Sequence, residues 1–190
     1  MSKVVRIFFD TEFTDFTNMD MISIGMVAES GEELYKENLD FIESWSSQWV
    51  KDNIYPLLNR QQFGAKRHQI VMDIEEFVSA LDCSEVEFLA DYQGDLDILK
   101  SLLGSAQLTK PYKLVNFRNV IYQAADKFVT DTGGNDTSYQ KLVKNAMGDF
   151  DREFEKFFTE TGQTQHHALS DARANFKAFG YTMRENHFAY

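Results

Sequence analysis

The chain has 190 residues, of which 30 are acidic and 19 basic, and its net charge of −11 argues against tight binding of long duplex DNA through a basic face. Its length predicts one domain, 1–190, with a sizeable core. Cys83, the single cysteine, excludes an intramolecular disulfide and favours a reduced, cytoplasmic location. No run approaches the roughly 20 apolar residues of a membrane span. Arg6 interrupts the N-terminal apolar run, which we interpret as a strand rather than a signal sequence.

The first third of the chain predicts three strands in succession, at residues 4–10, 21–29 and 33–41. A short turn at Gly31 separates the last two, so we expect a hairpin and an antiparallel start to the sheet. Residues 42–59 show helix-like spacing of apolar side chains. Pro56 limits any helix there.

A loop over residues 61–68 is predicted next. It carries most of a basic cluster that suits either a solvated edge or contact with phosphates, made of Arg60, Lys66, Arg67 and His68. The later segments alternate helices with one strand, which indicates one α/β domain. We expect a strand at 87–91, helices at 69–81, 95–103, within 114–129, at 138–147, 152–158 and 166–186, and an exposed loop at 130–136.

Two carboxylates end the first predicted strand. Asp10 and Glu12 are two residues apart, so their side chains would stand side by side on one face of the strand. Adjacent carboxylates repel each other, and their burial is costly unless a cation lies between them. Oxygen ligands of this kind suit Mg²⁺ or Mn²⁺. For this pair alone, a strand that ends in a solvated acidic turn is the commoner explanation, so further acidic ligands and a base are needed to favour a metal site.

Three aspartates around the next helix offer a third carboxylate. Asp95 heads the buried stripe of that helix, whereas Asp97 falls on the solvent side. Asp91, at the end of the preceding strand, is the alternative. A simple helix-capping role for Asp95 also fits the pattern.

The last predicted helix opens with two histidines and an aspartate. Asp171 borders the buried stripe within the first turns, where negative charge is favoured by the helix dipole. Histidine titrates near neutral pH and is the commonest general base. His166 and His167 are both candidates for this role, and paired surface histidines are the simpler alternative.

Together these motifs resemble the DEDDh branch of the RNase H-like 3′–5′ exonucleases. The D-x-E motif is Asp10 and Glu12, the second motif is Asp95 followed by leucine four residues later, and the H-x(4)-D motif is His166 and Asp171. The position that holds tyrosine in the tyrosine branch holds His167 here, which favours the histidine branch.

A closer likeness is to a group of small bacterial and phage 3′–5′ exoribonucleases, and it rests on residues 8–13, 22–31 and 49–56. The resemblance implies an RNase H-like mixed sheet, with an antiparallel first three strands and further parallel strands, flanked by helices. One departure is Asp91, at a position that is often asparagine in the family, which places a fifth carboxylate near the others.

The resemblance also implies a chemistry. Two Mg²⁺ or Mn²⁺ ions would be held by four carboxylates, with a histidine as general base: Asp10, Glu12, Asp95, Asp171 and His166. The expected reaction is removal of nucleoside 5′-monophosphates from the 3′ end of single-stranded RNA, with Phe13 stacking on a base. Single-stranded DNA as substrate, or a catalytically silent nucleic-acid-binding module, are alternatives. Relatives of this fold often form homodimers, so a homodimer is expected.

Overall fold

A mixed six-stranded sheet forms the centre of the protein, as a computed structural model of residues 3–104, 106 and 108–188 describes it. The remaining positions of the predicted domain lie outside these described residues. The strands are β1 Val4–Phe13, β2 Met21–Ala28, β3 Glu33–Asn38, β4 Gly64–Ala65, β5 Glu85–Ala90 and β6 Tyr112–Asn116. Their spatial order is β4-β3-β2-β1-β5-β6. The first three are antiparallel, β5 is parallel to β1, and β6 is parallel to β5, which confirms the predicted fold class.

Helices cover both faces of this sheet. Those described are α1 Gln48–Asn53, α2 Arg60–Phe63, α3 Arg67–Ala80, α4 Gln93–Leu103, α5 Phe117–Asp131, α6 Asp136–Thr161 and α7 Ala168–Glu185. None of the helices in the described ranges combines the length and the apolar character needed to cross a bilayer.

The alternation of side chains along β1 divides the core into two layers. Ile7 and Phe9 point to the face covered by α3 and α4, where they join the largest apolar cluster. Phe8 points to the opposite face and packs with residues of α5, α6 and α7, including Phe117 and Phe179. Because β1 is central and buried on both faces, the end of this strand is reached by helices from both sides.

The helix predicted within 114–129 is present as α5, which begins at Phe117 because the residues before it pair with β5 as strand β6. One pair of helix predictions is wrong. The two short helices predicted at 138–147 and 152–158 are one 26-residue helix, α6. Gly148 does not break α6, since the buried stripe continues through it from Ala146 to Phe150 and Phe157.

Two further predictions shift at their boundaries. The loop predicted at 61–68 contains α2, β4 and the start of α3. The terminal helix begins at Ala168 rather than at His166, whose φ of 61° is left-handed and therefore incompatible with a right-handed helix. The two histidines thus precede the helix, and His167 is its N-cap residue.

Candidate active site

A cleft of about 390 Å³ lies at the carboxyl end of β1. All of the residues predicted for the site line it: Asp10, Glu12, Phe13, Asp95, His166 and Asp171. Thr11, Phe16, Asp91 and Tyr92 complete the lining. Residues far apart in sequence thus converge on one concave surface, the usual form of a ligand site.

Two helices bring their first turns to this strand end from opposite faces of the sheet. Asp95 lies in the first turn of α4, and Asp171 lies in the first turn of α7. A close approach at Gly25 lets α7 reach its place: a Cβ atom there would lie 2.2 Å from the backbone nitrogen of Leu169. Gly25 pairs with Asp10 in the β1–β2 ladder, so α7 begins directly beside that carboxylate.

Asp95 points inward from α4, as expected from the helical spacing. Its side chain is buried, and the hydroxyl of Thr11 donates a hydrogen bond of 2.5 Å to its Oδ1 atom. Asp97 is on the exposed side, where Gln93 donates to it. The strand that carries Asp10 therefore also fixes the third carboxylate.

Asp171 has one satisfied and one unsatisfied oxygen. Its Oδ2 accepts a hydrogen bond of 2.9 Å from the backbone N–H of His166. Its Oδ1 is buried and has no hydrogen-bond partner among the described residues. Buried polar atoms are rarely left unpaired, and an ion is one explanation when they are. A divalent cation fits this oxygen and its acidic neighbours.

The potential ligand atoms form two groups. Glu12, His166 and Asp171 present atoms within 4.8 Å of one another, and so do Asp10, Asp91 and Asp95. Both groups are rich in carboxylate oxygens, which suit Mg²⁺ and Mn²⁺. The donor set is therefore compatible with two divalent cations side by side.

The electrostatics of these carboxylates favour a cation. Burial, with the neighbouring charges of Asp95 and Glu12, raises the pKa of Asp10 well above its usual range. Burial and the charge of Asp171 do the same to the pKa of Glu12. Burial also raises the pKa values of Asp95 and Asp171 to about 7. Positive charge at this place would reverse these shifts and stabilise the ionised forms.

Asp91, the departure from the family pattern, also lines the cleft. Its Oδ2 lies 3.1 Å from the guanidinium of Arg118, and its backbone carbonyl accepts a hydrogen bond from Asn116. The fifth carboxylate is thus partly neutralised by Arg118, at the start of α5. No local pattern in the sequence signals this pair, because 27 residues separate its members.

The two adjacent histidines face different ways. His166 lines the cleft and contacts the exposed ring of Trp49 edge-on, with ring centroids 4.9 Å apart. His167 turns away and stacks on Tyr35, with centroids 4.4 Å apart. Burial lowers the pKa of His166, which favours the neutral form that accepts a proton. Of the pair, His166 has the geometry of a base for this cleft.

Three aromatic rings border the carboxylates. Phe13 lies parallel to Tyr92 and edge-on to Phe16, with ring centroids 6.2 and 5.4 Å apart. Phe16 is 79% exposed, which is unusual for a phenylalanine. Phe13 is predicted from the sequence, whereas Phe16 is not, since no sequence pattern distinguishes an exposed phenylalanine from a core one. This cluster offers ring faces to unpaired bases.

The basic cluster of residues 60–68 lies outside the cleft lining. Arg67 pairs with Asp20, and Arg60 pairs with Glu43. These ion pairs within the protein favour a solvated surface edge over contact with phosphates as the explanation of the cluster.

No family model matches the chain. The chain is similar to two curated proteins of Mycobacterium tuberculosis, from strains CDC 1551 / Oshkosh and ATCC 25618 / H37Rv, which are both named 3′–5′ exoribonuclease. Each is 36% identical over 89 residues, which is 45% of this chain and 53% of the relative. The chain thus spans about half the length of the curated relatives it matches.

Proposed function

We propose that this protein is a DEDDh-type 3′–5′ exoribonuclease that removes nucleoside 5′-monophosphates from single-stranded RNA. The observation that carries the proposal is the convergence of four carboxylates and His166 in one cleft at the end of β1. The names of the relatives from M. tuberculosis support an exoribonuclease.

The proposed chemistry follows from the donor set. Two Mg²⁺ or Mn²⁺ ions held by the carboxylates would supply positive charge to offset that of the reacting phosphate. His166 accepts the proton of the attacking water as the water oxygen bonds to phosphorus. The bond from phosphorus to the 3′ oxygen of the preceding nucleotide breaks, and that oxygen takes up a proton from solvent and stays on the shortened chain. The terminal nucleotide leaves with the phosphate. The ligands in this proposal are Asp10, Glu12, Asp95 and Asp171.

The aromatic cluster supports a single-stranded substrate. Phe13, Phe16 and Tyr92 lie next to the carboxylates, where a terminal nucleotide would have to be unpaired to enter. Stacking of bases on such rings tolerates every sequence, because each base has a π-face.

Digestion of matched single-stranded RNA and DNA oligonucleotides, labelled at the 5′ end, tests the proposal. With Mg²⁺ or Mn²⁺ we expect a ladder that shortens from the 3′ end of RNA, mononucleotide products, and no cleavage in EDTA. Asp10→Asn should be inactive, whereas the matched Asp97→Asn control on the exposed side of α4 should retain activity. Faster digestion of DNA, or no digestion with either metal, would contradict the proposal.

A further inference from the structure

The dipeptide His166-His167 is folded around Asp171. The N–H of His166 donates to Asp171 Oδ2 at 2.9 Å, and the N–H of Asp171 donates to the carbonyl of His167 at 3.0 Å. His166 adopts a left-handed conformation that side-chain-bearing residues keep only where their surroundings hold it. The proposed base and one proposed ligand therefore share one short, constrained segment.

His167 attaches this segment to the sheet. Its ring stacks on Tyr35 of β3, with an interplanar angle of 26°. Tyr35 is itself buried, and its hydroxyl donates a 3.0 Å hydrogen bond to Glu37. The same oxygen of Glu37 accepts a 2.7 Å bond from the backbone N–H of Asn59. These hydrogen bonds hold the ring of Tyr35 in a fixed position, and we call this ring the platform.

The platform lies in line with the carboxylates of β1. Tyr35 pairs with Gly25 across the β2–β3 ladder, and Gly25 pairs with Asp10 across the β1–β2 ladder. The three residues form one row across the sheet. The backbone around Leu169 lies over the middle of this row, because Gly25 has no side chain. The contact with Tyr35 therefore sets where the segment sits relative to Asp10.

The contact of His167 with Tyr35 is made by its ring face. Its Nδ1 atom is buried and has no hydrogen-bond partner in the described ranges. The residue is also absent from the cleft lining. We infer that His167 is a positioning residue, which holds His166 and Asp171 over the cleft by stacking on Tyr35. The inference deepens the proposed function and rests on it for its catalytic test.

Steady-state kinetics on single-stranded RNA with Mg²⁺ test this inference. His167→Ala should lower kcat about tenfold or more with little change in KM, because substrate contacts stay while the base is misplaced. His167→Phe keeps a stacking ring and should restore kcat. His68→Ala, at an exposed histidine of α3, is the matched control and should resemble the wild type.

Tryptophan fluorescence gives a readout that needs no activity. The chain has two tryptophans, so Trp45→Phe leaves Trp49, which contacts His166, as the sole emitter. In that background His166→Ala should change the emission, and His167→Ala should change it similarly as His166 leaves the ring. His167→Phe should leave the emission unchanged.

Two results would overturn the inference. One is a folded His167→Phe protein whose kcat falls as far as that of His167→Ala. The other is an emission from Trp49 that responds to His166→Ala but not to His167→Ala. A wild-type protein that digests no RNA would contradict the proposed function instead, and the fluorescence experiment would still decide the role of His167.

Discussion

Asp171 places an ionisable carboxyl group in a buried position, where its charge lowers the stability of the fold. Its Oδ2 is bonded to the His166 backbone, while Oδ1 is buried without a partner in the described part of the chain. Burial raises its pKa to about 7, so at higher pH the folded protein holds a charge that it stabilises poorly. An ionised carboxylate in this position therefore lowers the stability of the folded protein unless a cation compensates its charge.

Asp171→Asn should therefore separate stability from activity. Asparagine still accepts the His166 hydrogen bond through its carbonyl oxygen but carries no charge. At pH 8, above the folded pKa of about 7, we expect the midpoint of thermal unfolding in EDTA to rise by about 2–4 °C. RNA digestion should fall more than ~100-fold, since even residues that only support metal ligands contribute 10–100-fold.

Differential scanning fluorimetry and the oligonucleotide assay measure these two effects. Asp97→Asn, at an exposed position of α4, should change neither. A lower unfolding midpoint for Asp171→Asn in EDTA would show that the carboxylate is stabilising without a cation.

At the scale of elements, the site depends on how closely α7 approaches β2. The contact at Gly25 leaves no room for a side chain, because the atoms it would meet belong to the backbone of Ala168 and Leu169. Backbone atoms in a helix start cannot turn aside as a flexible side chain can. The position of α7 therefore depends on residue 25 having no side chain.

Gly25→Ala should push the start of α7 away from the sheet. We expect a loss of about 1–3 kcal/mol in the free energy of unfolding, as for other overpacked sites, and a loss of RNA digestion in the protein that remains folded. Gly148→Ala in α6 is a matched control, since a Cβ there meets nothing within 4 Å. It should raise stability by about 0.5–1 kcal/mol through helix propensity.

Urea unfolding and the RNA assay on the same samples test this pair of variants. Equal stabilities for Gly25→Ala and the wild type, with full activity, would show that α7 is not held by this contact.

The sequence predicts elements well where the signal is local. Asp10 and Glu12 follow from a strand period of two, and the inward direction of Asp95 follows from a helix period of 3.6. Strand β6, which comes directly before α5, is not predicted from the sequence, because periodicity cannot distinguish a short apolar run from the start of a helix. The pairing of Asp91 with Arg118 and the stacking of His167 on Tyr35 depend on distant segments, which no local pattern reports.

For the molecule as a whole, the net charge of −11 opposes the binding of a polyanion. The residues that line the cleft include no lysine or arginine among those described. Under the proposed function, attraction of RNA to this cleft would come from cations at the carboxylates and from the rings of Phe13, Phe16 and Tyr92. Binding of this kind releases few counterions from the nucleic acid.

We therefore expect weak salt dependence of RNA binding. For an inactive Asp10→Asn protein, the slope of log K against log salt should be shallower than about −1.5, which corresponds to about two phosphate contacts.

Phe16→Ala should weaken RNA binding about 5–100-fold through lost stacking. Phe128→Ala, at another exposed phenylalanine, should have no effect. Fluorescence anisotropy with labelled RNA measures the salt slope and the effect of Phe16→Ala. A steep salt slope would point to a basic RNA-binding surface instead.

The placement of His166 just before α7 and of Asp171 in its first turn also has a consequence for folding kinetics. Asp10 and Asp171 are about 160 residues apart, so their meeting is among the most non-local contacts of the chain. The end of β1 with Asp10 and Glu12 can form by pairing with the nearby β2 before α7 docks. The cleft would then gain the proposed base and the last of the four carboxylates in one step, and the proposed hydrolytic activity would arise late in folding.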